Sequence, residues 1–169
     1  MDNGSPAAVT SASRGIMYRR ILFLFAALLL TAAQTYAQTP IEKLIIKYGN
    51  INGAKEISAS GSQMAIARVM MKHTPVAPVA GDVDKVYILK MADASDESLD
   101  KFESDLQKVL KSYEYYGTQE EPKGKVDVYV MRSGTSVIKE LVVYNPENHT
   151  LNSFYGTFPL DALMKMVKE

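Results

Sequence analysis

Few residues in this chain have the chemistry of a catalyst, and they are scattered. His73 and His149 are the two histidines, and there is no cysteine. Nucleophilic catalysis needs a base held beside its nucleophile. No G-x-S-x-G turn occurs, and Ser133-Gly134-Thr135-Ser136 reads as a hairpin turn. Carboxylates occur as neighbours at Asp82/Asp84, Asp96-Glu97 and Glu120-Glu121. Glycoside hydrolysis needs two carboxyls facing each other across a cleft, which adjacency in sequence does not supply. Met64, Met70, Met71 and His73 offer soft ligands of the kind that suit copper. Adjacent methionines on a helix point in different directions, so these are expected to fill a core. Neither an H-E-x-x-H run nor a cysteine pair points to zinc. The residue types therefore predict no catalytic residue, no metal ligand and no cofactor.

Tyr113, Tyr115 and Tyr116 are a different kind of candidate. Tyrosine joins a large apolar body to a polar tip, which suits protein interfaces and sugar stacking. The three are expected as a possible interaction surface at the end of a long helix, with Tyr113 on its buried stripe. Asn148-His149-Thr150 matches a glycosylation sequon but reads here as part of a turn.

The elements that position these residues follow from periodicity. Pro40–Tyr48 repeats apolar residues at Ile41, Leu44, Ile45 and Tyr48, with Thr39 as N-cap and Gly49 as stop. Ala54–Ser60 is a short strand, and Gln63–Lys72 a helix with a broad apolar surface that should pack on more than one side. Pro75–Asp82 is a breaker-rich loop. Val83–Ala92 is apolar on both faces, as in a central strand. Ser95 or Asp96 caps the longest helix, whose stripe is Leu99, Phe102, Leu106, Val109, Leu110 and Tyr113. Gly117–Lys125 is expected to be a solvated loop. Lys125–Arg132, Ser136–Tyr144 and Thr150–Gly156 are strands joined by short turns, and Pro159–Lys168 is a closing helix. The order α-β-α-β-α-β-β-β-α predicts an α+β fold: one mainly antiparallel sheet of about four to five strands, with helices mainly on one face. The crossovers between the early strands leave room for some parallel pairing.

Ahead of this domain, Arg19-Arg20 precede an uncharged run of 13 residues, Ile21–Ala33, and then Thr35-Tyr36-Ala37. That is the pattern of a secretory signal peptide cleaved before Gln38. A membrane-spanning helix needs about 20 apolar residues. Residues 1–37 are thus expected to be an N-terminal extension and cleaved signal, with Met17 a possible start. Residues 38–169 then form a single domain of 132 residues with no integral membrane segment. Arg14, Arg19, Arg20 and Asp2 leave with the signal, so 16 basic and 18 acidic residues remain of the chain's 19 and 19. A near-neutral domain lacks the basic surface that drives nucleic-acid binding.

The export signal, the early IEKLIIKY helix, VYIL before the long helix, and the closing IKELVVY and LNSFYGTFPLDALMKM resemble the domain-of-unknown-function family 4252. These are small exported proteins found mainly in Bacteroidetes. The resemblance covers most of Pro40–Lys168. Many members of that family look like lipoproteins, with a cysteine after the signal. This chain has none, so no lipid anchor is expected. The resemblance implies no activity and no functional residue.

The expectation is an exported, periplasmic or extracellular binding or regulatory module without catalytic function. Its partner is an unidentified protein or small molecule. The alternatives are a carrier of an apolar ligand or metal, and an enzyme whose site the motifs do not reveal.

Overall fold

The computed structural model describes residues 38–74, 76–121 and 124–166. The expected signal peptide lies outside them. Helix α1 spans Pro40–Gly49, β1 Lys55–Ser60, α2 Met64–Met71, β2 Val83–Lys90 and α3 Asp96–Leu110. Four strands follow, β3 Glu114–Glu121, β4 Gly124–Ser133, β5 Val137–Asn145 and β6 Thr150–Pro159, and then α4, Leu160–Met166. Gly61–Gln63 and Ala77–Asp82 are short 3₁₀ segments.

The six strands form one sheet in the order β1-β2-β6-β5-β4-β3, and every neighbouring pair is antiparallel. The fold is α+β, as the sequence predicts. The crossover through α3 carries the chain from β2 to the far edge at β3. The β3-β4-β5-β6 meander then walks back, so the last strand closes against β2. No ladder is left for the parallel pairing that the early helices allowed.

The sixth strand is β3, which covers most of the stretch expected to be a solvated loop at 117–125. The sequence EYYGTQEE lacks apolar alternation because β3 is an edge strand with a bulge between Tyr115 and Gly117. Edge strands tolerate charge, and charge discourages further pairing. Its identity as a strand comes from the partner β4, not from its own pattern.

Two apolar clusters lie on opposite faces of the sheet. Helices α1 and α3, the two longest, cover one face with Ile41, Ile45, Phe102 and Leu106 against Val142 and Leu151. On the other face, α2, α4 and the 77–82 segment pack Met64, Val79 and Leu163 onto Val128, Leu141 and Phe158. Helices thus cover both faces, the longer pair on one and short elements on the other. Two caps anticipated from sequence are present. Thr39 Oγ1 accepts from Glu42 N (3.1 Å) at the start of α1, and Ser95 Oγ accepts from Ser98 N (3.4 Å) at α3.

Candidate functional site

The three candidate tyrosines are not gathered on one surface. Tyr113 is buried, just beyond α3, and its hydroxyl donates to Glu140 Oε2 at 2.6 Å. Tyr115 is 56% exposed; its ring lies 5.3 Å from that of Tyr129, and its hydroxyl bonds to Thr118 Oγ1. Tyr116 packs against the opposite cluster, and its hydroxyl points to Met164 Sδ at 2.8 Å. Consecutive residues of a strand point to opposite faces, which separates the last two. They lie on strand β3, not on the helix end.

Tyr113 leads to a residue that sequence reasoning missed. Glu140, on central strand β5, is fully buried. Its Oε1 accepts from Thr39 Oγ1 (3.0 Å) and Ser153 Oγ (2.7 Å), and its Oε2 from Tyr113. Three hydroxyls, not a cation, satisfy this carboxyl. Burial pushes its pKa up; the three hydrogen bonds oppose that rise, and the nearby charge of Glu42 adds to it. Burial also pushes the Tyr113 phenol up, together with the Glu140 charge. β5 carries one extra residue relative to β4 between Ile138 and Glu140. That bulge lets Ile138 face one cluster and Glu140 the other, although two residues apart they would otherwise share a face. A charged residue inside the apolar run VIKELVVY is the signal that could have drawn notice.

The cluster continues to the flank of α1. Tyr87 donates to Glu42 Oε1 at 2.7 Å, and Lys85 Nζ lies 3.9 Å from the same oxygen. Burial raises the Tyr87 phenol to about 12, with the Glu42 hydrogen bond adding to it. Glu140, Ser153 and Tyr113 are all covered, so no substrate reaches them. The arrangement pins α1, the chain after α3 and β6 onto β5.

The histidines lie apart. His149 sits in the β5–β6 turn with φ 50°, its Nδ1 3.0 Å from Glu103 Oε1. An imidazole beside a carboxylate is part of a catalytic arrangement, but Nδ1 makes no hydrogen bond among the described residues and the neighbouring hydroxyl does not complete the set. Tyr144 donates to Glu103 rather than to the ring (3.2 Å), and burial pushes its pKa up, away from a nucleophile's range. His73 is exposed at the end of α2, on the side of the other cluster.

The remaining candidates do not converge either. Asp96 and Glu97 lie in the first turn of α3, where Glu97 pairs with Lys101 (2.6 Å). Glu120 pairs with Lys125 (3.7 Å), and Asp84 with Arg68 (3.9 Å). Met64 and Met71 are core residues, whereas Met70 is 69% exposed. Among the described residues no group of three or more histidines or carboxylates is placed to hold a metal ion. None of their helices is long and apolar enough to cross a membrane.

What the surface does offer is apolar. Helix α2 buries Met64 and Met71 but exposes Ile66 (71%), Val69 (59%) and Met70 (69%). Steps of three and four residues place these three on one stripe. Helix α2 packs on both β1 and β2. Ile57 of β1, 54% exposed, stands opposite Ile88, a residue of the cluster that α2 covers. Residues directly opposite share a face, so Ile57 and the stripe lie on the same side of the sheet, at its β1 edge. The broad apolar surface of α2 is therefore packed on one side only. A second feature is an open groove of about 590 Å³ where Val137, Phe158, Leu160 and Met164 meet.

Comparison with known proteins finds no match: no family model, no curated protein and no solved structure is similar to this chain.

Proposed function

We propose that this protein is an exported, non-catalytic binding module that docks a protein through the outer stripe of α2 and the adjoining edge of the sheet. One observation carries the reading: Ile66, Val69 and Met70 are each more than half exposed on a helix whose other side is core. Burying three such side chains is worth about 1.5–3 kcal/mol each, so leaving them in water is a standing preference for an occupant. The hydroxyl that reaches Glu103 beside His149 is the Tyr144 phenol, which donates to the carboxylate and whose pKa burial pushes up; this fits a non-catalytic role. Export rests on the Arg19-Arg20 signal pattern, and the family resemblance belongs to the same proposal.

The test is site-specific photo-crosslinking in the cells that make the protein. A photoreactive residue at Val69 is expected to capture a discrete band, while one at exposed Lys101 on α3 does not. Equal, diffuse labelling at both positions overturns the reading. The intact mass of the recovered protein tests export, the expected chain beginning at Gln38.

A second reading, a carrier of a small apolar ligand, is favoured by the groove at Phe158 and Met164. Native mass spectrometry tests it, since a bound ligand adds mass that is lost on denaturation.

A further inference from the structure

We propose that the occupant of the α2 stripe is a second copy of this chain, joined edge to edge through β1 in a two-fold dimer. The inference rests on the docking reading above and names its partner. β1 is the end strand of the sheet order, and its outer edge pairs with no strand among the described residues. Such an edge is a template for another strand. It is six residues long and contains no proline.

Symmetry restricts the register. A two-fold axis perpendicular to the sheet preserves its faces, so each residue of β1 must meet one of the same face in its copy. Self-pairing can then be centred only on a residue. Centring on Lys55 or Glu56 sets like charges directly against each other, which is destabilising. Centring on Ile57 sets Ile57 against Ile57, Glu56 against Ser58 and Lys55 against Ala59. This register uses nearly the whole strand and opposes no like charges. Centring on Ser58 pairs as many residues and also opposes no like charges, but it sets Ile57 against the small Ala59. Centring on Ile57 joins the two largest apolar side chains of the edge on the face that α2 covers, which favours it.

The helices fit the same axis. Neighbouring strands lie about 4.8 Å apart. A helix seated over β1 and β2 then lies about 5 Å from the axis, and its copy an equal distance beyond. The resulting separation of about 10 Å is a helix-packing distance. Ile66, Val69 and Met70 are on the side left open by the core. The cation within the helix does not obstruct the contact: Arg68 is turned to the Val83 carbonyl (Nη2 2.8 Å) and to Asp84. The contact is isologous and closes on itself, yielding a continuous twelve-stranded sheet and no open filament.

The test is light scattering on the intact protein, with the chain mass of each preparation fixed by mass spectrometry. A particle of twice the chain mass is expected. Ile57→Lys should halve that mass while leaving the circular dichroism spectrum unchanged and the unfolding transition cooperative, since Ile57 is mostly outside the core; its melting temperature should lose the concentration dependence that a dimer shows. The chain has no cysteine of its own, so single-cysteine variants report the register. Ile57→Cys should form a disulfide-linked dimer on mild oxidation, and Ser58→Cys should not. A particle of one chain mass at the highest soluble concentration overturns the proposal. So does a dimer that survives Ile57→Lys, or one that crosslinks through Ser58→Cys instead. A single-chain particle that still gives the Val69 crosslink to a different protein removes this inference and leaves the docking reading standing. Binding of a single-chain particle to anionic phospholipid vesicles, lost in Val69→Glu, overturns it in favour of a membrane surface.

Discussion

Glu140 is the most informative residue to perturb, because its three partners make the outcome calculable. Replacing it with Gln keeps the shape and removes the charge. The amide oxygen can accept from Thr39 and Ser153 as Oε1 does, and the amide nitrogen can donate to Tyr113, whose hydroxyl can turn to accept. Every hydrogen bond has a replacement, and the cost of burying a charge is gone. Glu140→Ala instead strands the buried hydroxyls of Ser153 and Tyr113. At about 1–3 kcal/mol for each unsatisfied group, the Ala variant should lie about 2–6 kcal/mol below the Gln variant. The pH dependence has a definite sign. The folded-state pKa is raised above the ordinary 4.5, so the folded chain holds this proton more tightly than the unfolded chain. Wild-type stability relative to Gln therefore falls as pH climbs from about 4.5 to the raised pKa, by at most about 1.4 kcal/mol per pH unit, and is level outside that window. Urea unfolding of wild type, Glu140→Gln and Glu140→Ala at pH 4 to 9 reads all three quantities. A wild-type-minus-Gln difference that is flat across this range refutes the assignment of an anomalous proton to Glu140. A Gln variant as unstable as Ala refutes the exchange of hydrogen bonds.

Phe102 is fully buried, with its ring edge-on to Tyr48 at 5.3 Å and to Tyr144 at 6.2 Å. Phe102→Ala should cost about 3–5 kcal/mol in urea unfolding, and a loss below about 1 kcal/mol means that α3 does not seat as described. Gly53 has φ +84° and backs onto the Asp93 carbonyl, so any Cβ meets backbone. Gly53→Ala should destabilise by about 1–3 kcal/mol, whereas Gly134→Ala, with the same sign of φ (+77°) but open space, should cost less. Asp105 accepts from Lys47 (2.6 Å), Lys108 (2.9 Å) and Tyr48 (2.9 Å), which hold its carboxyl well below the usual range. Its contribution is complete above the ordinary pKa and is lost as pH falls through the lowered one. Asp105→Asn should therefore lower the melting temperature at pH 7, with the gap from wild type narrowing below about pH 4; a gap that is constant down to pH 2 refutes the assignment.

Local pattern determined much of this molecule. The stripe Phe102–Leu106–Leu110 and the Ser95 cap specify α3 wherever it packs, because helical hydrogen bonds and one apolar face are properties of consecutive residues. Ile41, Leu44, Ile45 and Tyr48 specify α1 in the same way. Ser133-Gly134 and Asn145–Asn148 mark two turns of the meander, since turn geometry is a demand on the residues in the turn. The antiparallel class followed from those short connections. Other features depend on what lies across the sheet, and no local pattern carries them. β3 is a strand because β4 offers it an edge; its own residues read as a loop. Tyr115 and Tyr116 part company because, once the stretch is a strand, consecutive side chains point to opposite faces. Glu140 shares a face with Val142 and Tyr144, but it is buried there because α1 and α3 cover that face, where Thr39, Tyr113 and Ser153 arrive from 101, 27 and 13 residues away in sequence. The apolar breadth of α2 was legible as composition, but not which half of it stays open. Periodicity states that a residue is apolar; only the tertiary arrangement decides whether something is there to cover it.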